Sequence, residues 1–339
     1  MAANYWDSTQ RKHWQFTKEQ LSSMRQRLED EDPGLVQSFG LPQWRHLNIF
    51  FNQQINRLGK RLGVRQQAMA TAQVYVKRFY IKVEIRKTNP FLLITTALYL
   101  ACKMEECPQH ISERKVADRG SNTADMQLFH DPSKIGECEF WLISEMNSHL
   151  IIHQPYRTLT SLQSSLNLTQ DEVALAWSIV NDHYMTDLPL LYPPHTIALT
   201  AILLAILFRP SQNSSQGGTA QGSGNAMGQP NMAGINAVTA ALAQAQARQT
   251  PTPGAPPGQI PADAANAAQS AALTKEKGER YSKVQRFALW LAESSMDIEG
   301  MVDCTQELIS FYDCQEQYND KLTREQIVRF IKARGLDKG

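Results

Sequence analysis

One register shift constrains this sequence more than any other feature: residues 64–106 and 168–207 align without a gap at an offset of 104. Gln66 falls on Gln170, Ala70 on Ala174, Ala72 on Ala176, Val76 on Val180 and Tyr80 on Tyr184. Pro90 falls on Pro194, Thr96 on Thr200, Ala97 on Ala201, Leu100 on Leu204 and Ala101 on Ala205. In the first copy, Ala70, Ala72, Val76, Phe79, Tyr80 and Val83 recur at helical spacing. After the turn Lys87-Thr88-Asn89-Pro90, the residues Leu93, Thr96, Ala97, Leu100, Ala101 and Met104 do the same. Asn89 suits an N-cap, and Pro90 suits the first helical position, where no amide bond is lost. A shared register for two helices, and for the proline opening the second, implies duplication of an all-helical unit of roughly 100 residues.

Further helices frame each copy. Residues 43–62 carry the stripe Trp44, Leu47, Phe50, Phe51, Ile55 and Leu58, and residues 134–150 carry Phe140, Ile143, Met146 and Leu150 behind Asp131-Pro132-Ser133. Capping boxes are expected at Thr17 to Gln20, opening a helix to about Glu29 that stops at Asp30 to Gly34, and at Thr169 to Glu172. Another is expected at Thr323 to Gln326, before Ile327, Phe330 and Ile331. Residues 107–131 are polar, with one short helix expected near 113–118. Residues 209–278 are Gln, Ser, Gly, Ala, Asn and Pro with almost no charge, so they bury too little apolar surface to offset their ordering entropy. They read as a disordered insertion, after which 281–318 resumes an amphipathic pattern.

The net charge of +1 over 339 residues decides nothing about partners, but its distribution is uneven. Arg57, Lys60, Arg61, Arg65, Lys77, Arg78, Lys82, Arg86 and Lys87 face Glu84 alone within 57–87. Such a stretch fits either a nucleic-acid or acidic-protein contact or the solvated faces of two helices. The five cysteines show no metal-ligand spacing, and their odd number without a signal peptide suits a reducing compartment. The longest apolar run, 197–208, is too short to span a bilayer. No phosphate-binding glycine motif opens a helix, and the histidines are scattered. The expectation is a non-enzyme without cofactor or metal.

Helix, Asn-Pro turn and small-residue helix ending in Ala101-Cys102-Lys103-Met104-Glu105-Glu106, together with Lys77-Arg78-Phe79, resembles a cyclin box that occurs twice. Asn4-Tyr5-Trp6-Asp7-Ser8 is similar to the opening of C-type cyclins, those of the Mediator kinase module. The resemblance implies an all-α fold of two tandem five-helix boxes, with an N-terminal helix and the insertion in the second box. Its boundaries would be 1–40, 41–155, 156–320 interrupted at 209–278, and a C-terminal helix at 321–339.

It further implies a nuclear, non-catalytic subunit that binds and activates a Mediator-associated cyclin-dependent kinase, beside other kinase-module subunits, in RNA polymerase II transcription. Membrane and direct DNA binding are not expected. By motif position, Lys103 and Glu139 would hydrogen-bond the kinase αC backbone, flanked by Leu100, Met104, Ile143 and Leu150. Trp6 either packs on the box or docks against the kinase. Leu207 replaces Lys103 in the second copy, so only the first is equipped to dock. The chain departs from cell-cycle cyclins at Leu47-Asn48-Ile49-Phe50-Phe51 and at Lys77, where their recruiting patch and buried Arg–Asp pair would be. Alternatives are a IIB-like nucleic-acid-binding general transcription factor and an elongation-type T or K cyclin. A snorkelling Lys103 and an ordinary surface Glu139 are the competing structural reading of the site.

Overall fold

The central helix of the first copy has no polar face that could meet water freely: from Ala68 to Tyr80 every residue is buried. A helix buried all round must be enclosed by others, and the computed structural model, which describes residues 4–108, 132–208 and 283–336, shows how. Its helices in chain order are α1 (Thr9–His13), α2 (Lys18–Asp30), α3 (Pro33–Ser38), α4 (Trp44–Leu62), α5 (Gln66–Tyr80), α6 (Pro90–Met104) and α7 (Pro132–Glu145). There follow α8 (Tyr156–Ser165), α9 (Gln170–Asp182), α10 (Leu188–Leu191), α11 (Pro194–Leu207), α12 (283–293), α13 (Ile298–Gln317) and α14 (Asp320–Arg334). Among the described residues there is no strand. The expected helix near 113–118 and the insertion at 209–278 lie outside them.

The chain divides into two units, one holding Met1–Pro155, Asn181–Ile197 and Gln306–Gly339, the other Tyr156–Val180 and Ala198–Thr305. In the first, α5 packs against α4, α6 and α7 around Phe50, Phe79, Leu93, Leu100 and Leu142. Gly59 of α4 permits a close approach, because a Cβ there would lie 2.3 Å from the Met69 sulfur on α5. In the second, Tyr156 stacks on Trp177 with ring centroids 4.7 Å apart. Glu172 is buried there against Lys283 at 2.8 Å. The duplication survives as helix register: α5 and α9 open at Gln66 and Gln170, α6 and α11 at Pro90 and Pro194.

Local signals set most helix starts. Thr17 and Gln20 form the expected reciprocal capping box, Thr169 and Glu172 cap α9 in the same way, and the Asn89 side chain accepts the Phe91 amide ahead of Pro90. Three boundaries differ. Asp30 to Gly34 does not simply stop α2, since Asp32 caps a new helix with Pro33 at its first position. The last helix begins at Asp320 under Asn319, so Thr323 is an interior, buried residue and not a cap. Helix α7 ends at Glu145 rather than Leu150, as Asn147 and Ser148 take positive φ. Its core face is Ile135, Leu142 and the following Met146, so Phe140, assigned to the core stripe from sequence, is 79% exposed.

Two cations lie inside the first unit. The Lys77 ammonium donates to Asn48 Oδ1 at 2.8 Å, so the two positions of departure meet. Asn48 Nδ2 in turn donates to Asp187, which also takes two hydrogen bonds from Arg25 of α2 at 2.8 and 2.9 Å. Burial lowers the Lys77 pKa to about 8, with Asp187 opposing the shift. Arg78 donates to the His149 carbonyl at 2.7 Å and lies 4.7 Å over the buried Trp14 ring. Trp14 Nε1 donates to His149 Nδ1, and Gln10 exchanges hydrogen bonds with the His153 backbone. The N-terminal segment therefore lies across its own unit. The basic stretch at 57–87 is not one exposed face: Lys77, Arg78 and Arg86 are buried, Arg57 pairs with Asp320, and Lys87 pairs with Glu31.

Two outcomes follow from this packing. Asp187→Asn leaves Arg25 and Lys77 without their carboxylate and should cost about 3 kcal/mol in urea unfolding at neutral pH. Burial alone would raise the Asp187 pKa, but Arg25, Lys77 and Asn48 more than offset it and hold it below the ordinary range. A depressed carboxyl stabilises above its unfolded value, about 3.9, and loses that contribution as pH falls. The gap between wild type and variant should therefore close on acidification. Gly59→Ala should cost about 1–3 kcal/mol in the same assay, because the new methyl overpacks against Met69.

Candidate partner-docking face

The end of α6 is fixed by a cap that places Lys103. Glu106, a non-glycine residue at φ 53°, turns the chain back. The Cys107 amide then reaches the Cys102 carbonyl at 2.9 Å, and the Glu106 amide reaches that of Lys103 at 3.4 Å. This pair of bonds is the Schellman arrangement, which satisfies carbonyls that a helix end otherwise leaves open. Glu105 ties the same end to α5, accepting from Thr71 Oγ1 and Gln67 Nε2 at 2.6 Å each. The acidic pair Glu105-Glu106 is thus not simply solvated: one member anchors and the other turns.

Lys103 Nζ meets both carboxylate oxygens of Glu139 on α7 at 2.8 Å. The ammonium also lies 4.3 Å from the centre of the Tyr99 ring. Partial burial would lower the Lys103 pKa, but Glu139 and Tyr99 outweigh that and hold it above its ordinary value. Side-chain exposure is 41% for Lys103 and 15% for Glu139, so the pair lies at the surface rather than sealed in the core.

The other sequence-derived positions divide. Leu100 is buried beneath the pair, Met104 is 40% exposed and Ile143 is half-buried. Leu150 is half-buried in the segment after α7, where its carbonyl accepts from Tyr75 Oη. Trp6 is 52% exposed in a different neighbourhood, on the turn Tyr5–Asp7, with Arg11 over its ring at 5.3 Å and His195 at 5.2 Å.

The sequence reading left Tyr99 and Trp141 unassigned and gave Phe140 to the core. Tyr99 stands four residues before Lys103, a spacing that by itself puts the ring beside the ammonium. Phe140 follows Glu139 directly, and Trp141, 5.0 Å from Phe79, is partly exposed beside it. The face thus combines one ion pair with exposed apolar surface at Met104 and Phe140. Among the described residues no cluster of His, Cys, Asp or Glu fits a metal ion, and no helix is long and apolar enough to cross a membrane.

Comparison with known proteins agrees with this architecture. The family described as "Cyclin, N-terminal domain" matches residues 41–151, which include both members of the ion pair. The chain is 60% identical to the RNA polymerase II holoenzyme cyclin-like subunit of Neurospora crassa, covering 100% of both. It is 58% identical to the protein of that name from Chaetomium globosum, again over 100% of both. Among solved structures it is similar in fold to a chain of the CAK complex of Chaetomium thermophilum bound to ATP-gamma-S, with TM-score 0.57 and 18% identity over 98% of this chain and 88% of that one. An all-helical chain with a duplicated helix register, a first cyclin box and full-length relatives of this identity belongs to the cyclin family, in its C-type branch of RNA polymerase II holoenzyme cyclin-like subunits.

Proposed function

We propose that this chain is a regulatory subunit that binds and activates a cyclin-dependent kinase of the Mediator kinase module, acting in the nucleus on RNA polymerase II transcription. It makes and breaks no bonds itself. The observation that carries this reading is the surface ion pair of Lys103 and Glu139, drawn from two helices and bordered by Met104 and Ile143. Sequence boundaries of 41–155 and 156–320 for the two boxes belong to the same proposal, as do other kinase-module subunits as neighbours.

Mechanically, a kinase turns over only when its catalytic Lys–Glu ion pair is formed, and that requires its αC helix to sit inward. A cyclin face supplies what a helix end lacks. An ammonium offers donors to open backbone carbonyls and a carboxylate offers acceptors to open amides, while apolar neighbours exclude water from both. Lys103 and Glu139 have this complementary chemistry at one spot. Leu100 and Ile143 support their helices from beneath and beside, and Leu150 extends the border. Trp6 is assigned to partner contact on the strength of its exposed indole.

Because both charges reach solvent, the fold depends on them little: an exposed pair is worth about 0–1 kcal/mol. A desolvated charge-assisted contact across an interface is worth about 2–5 kcal/mol. Lys103→Ala combined with Glu139→Ala should therefore keep the wild-type melting temperature nearly unchanged and lose co-purification with the kinase from nuclear extract. Retained kinase binding with unchanged kinase activity would remove this face from consideration.

A further inference from the structure

The cap that positions Lys103 brings two thiols together. In a Schellman turn a side-chain contact frequently accompanies the longer backbone bond, which here joins the Cys107 amide to the Cys102 carbonyl at 2.9 Å. The Cys107 sulfur is near enough to Cys102 to add to the rise of its pKa. Cys102 is fully buried, whereas Cys107 is half-exposed on the turn. Burial pushes the Cys102 thiol up to about 12, so it is inert towards reagents in solution. Cys107 is open to them. One accessible sulfur beside one sheltered sulfur is the arrangement in which the first reacts and the second resolves. Cys138 on α7 is half-buried against the same core.

We propose that Cys102 and Cys107 are a reversible oxidation site, closing to a disulfide under a peroxide and enclosing Lys103, Met104, Glu105 and Glu106 in a covalent ring. In the first step the Cys107 thiolate, its proton given to solvent, attacks one oxygen of hydrogen peroxide. The S–O bond forms, the O–O bond breaks, and the departing hydroxide leaves as water, giving a sulfenic acid. In the second step the Cys102 sulfur attacks the Cys107 sulfur. The S–S bond forms and the S–O bond breaks, and the Cys102 proton leaves with the hydroxide as a second water. Two thiols have lost two electrons, and one peroxide has become two waters. A thiol reductant reverses the bond by exchange. This chemistry goes beyond the docking reading and does not depend on it.

Trypsin reads the bond directly, since cleavage after Lys103 separates the two cysteines onto different peptides. The full-length protein is treated with hydrogen peroxide, denatured in N-ethylmaleimide, digested and analysed by mass spectrometry. The expected result is a peptide pair joined through Cys102 and Cys107, absent before treatment, lost after dithiothreitol and unaffected by Cys138→Ser. In Cys107→Ser, Cys102 should be recovered fully alkylated after the same treatment. Recovery of both cysteines as free thiols in the treated wild type, over-oxidation of Cys107 to sulfinic acid, or pairing of Cys107 with Cys138 would each overturn the proposal.

Discussion

Lys77 and Arg78 carry positive charge into the interior of the first unit, where an ion without a partner costs several kcal/mol. The surrounding segments are arranged to meet that demand. Asp187 supplies the carboxylate near Lys77, reached through Asn48, and α2 is drawn in because Arg25 shares it. Arg78 finds no carboxylate. It takes the His149 carbonyl and the face of Trp14, and so fixes both the segment after α7 and the N-terminal residues on the bundle. Three stretches distant in sequence are thereby tied to two adjacent residues of one helix. A purely apolar α5 would have left each of them free to pack in more than one way.

The same helix supports the end of α6 that carries Lys103. Thr71 and Gln67 hold Glu105, and Glu105 holds the last turn of α6 against α5. The αL residue Glu106 then lets the chain leave without unwinding that turn, so the Lys103 backbone is anchored while its side chain reaches solvent. Glu139 arrives from α7, whose inner face of Ile135 and Leu142 sets its rotation about its own axis. A surface ion pair contributes little to stability, yet here its position is determined by buried contacts on both helices. The site is consequently rigid where the fold has no need of it.

Periodicity made α4, α5, α6 and α9 legible in the sequence, and capping chemistry made most of their starts legible too. The offset of 104 fixed the correspondence of α5 with α9 and of α6 with α11. Asn48 and Lys77 were legible as departures, though the hydrogen bond between them was not. Asp187 was not, since its charge enters from a loop that no helical period connects to α5. Phe140 was misplaced for a different reason. On a short helix, Phe140 and Ile143 define a stripe as regular as the true one of Ile135 and Leu142, and only tertiary packing chooses between them. Tyr99 was within reach, four residues before the lysine, but a ring beside a cation does not stand out in an apolar helix.

The second copy shows how far a shared frame constrains chemistry. At the positions equivalent to Lys77 and Arg78 it carries Asn181 and Asp182, so two cations have become an amide and an acid. Tyr312 Oη donates to Asp182 at 3.2 Å, and burial pushes that carboxyl up to about 7. A hydroxyl stands where an arginine in the first copy needed a carbonyl and an indole. At the helix end equivalent to Lys103 the change is as complete: Leu207 stands there, exposed and with no donor to offer. Tyr80 and Tyr184, by contrast, are buried in both copies, as are Ala97 and Ala201. Small and aromatic packing residues persist at these positions, whereas the cations at 77, 78 and 103 do not. Helix packing depends on volume and is indifferent to sign, so one frame carries a surface ion pair in one copy and none at the equivalent lysine position in the other without altering its register.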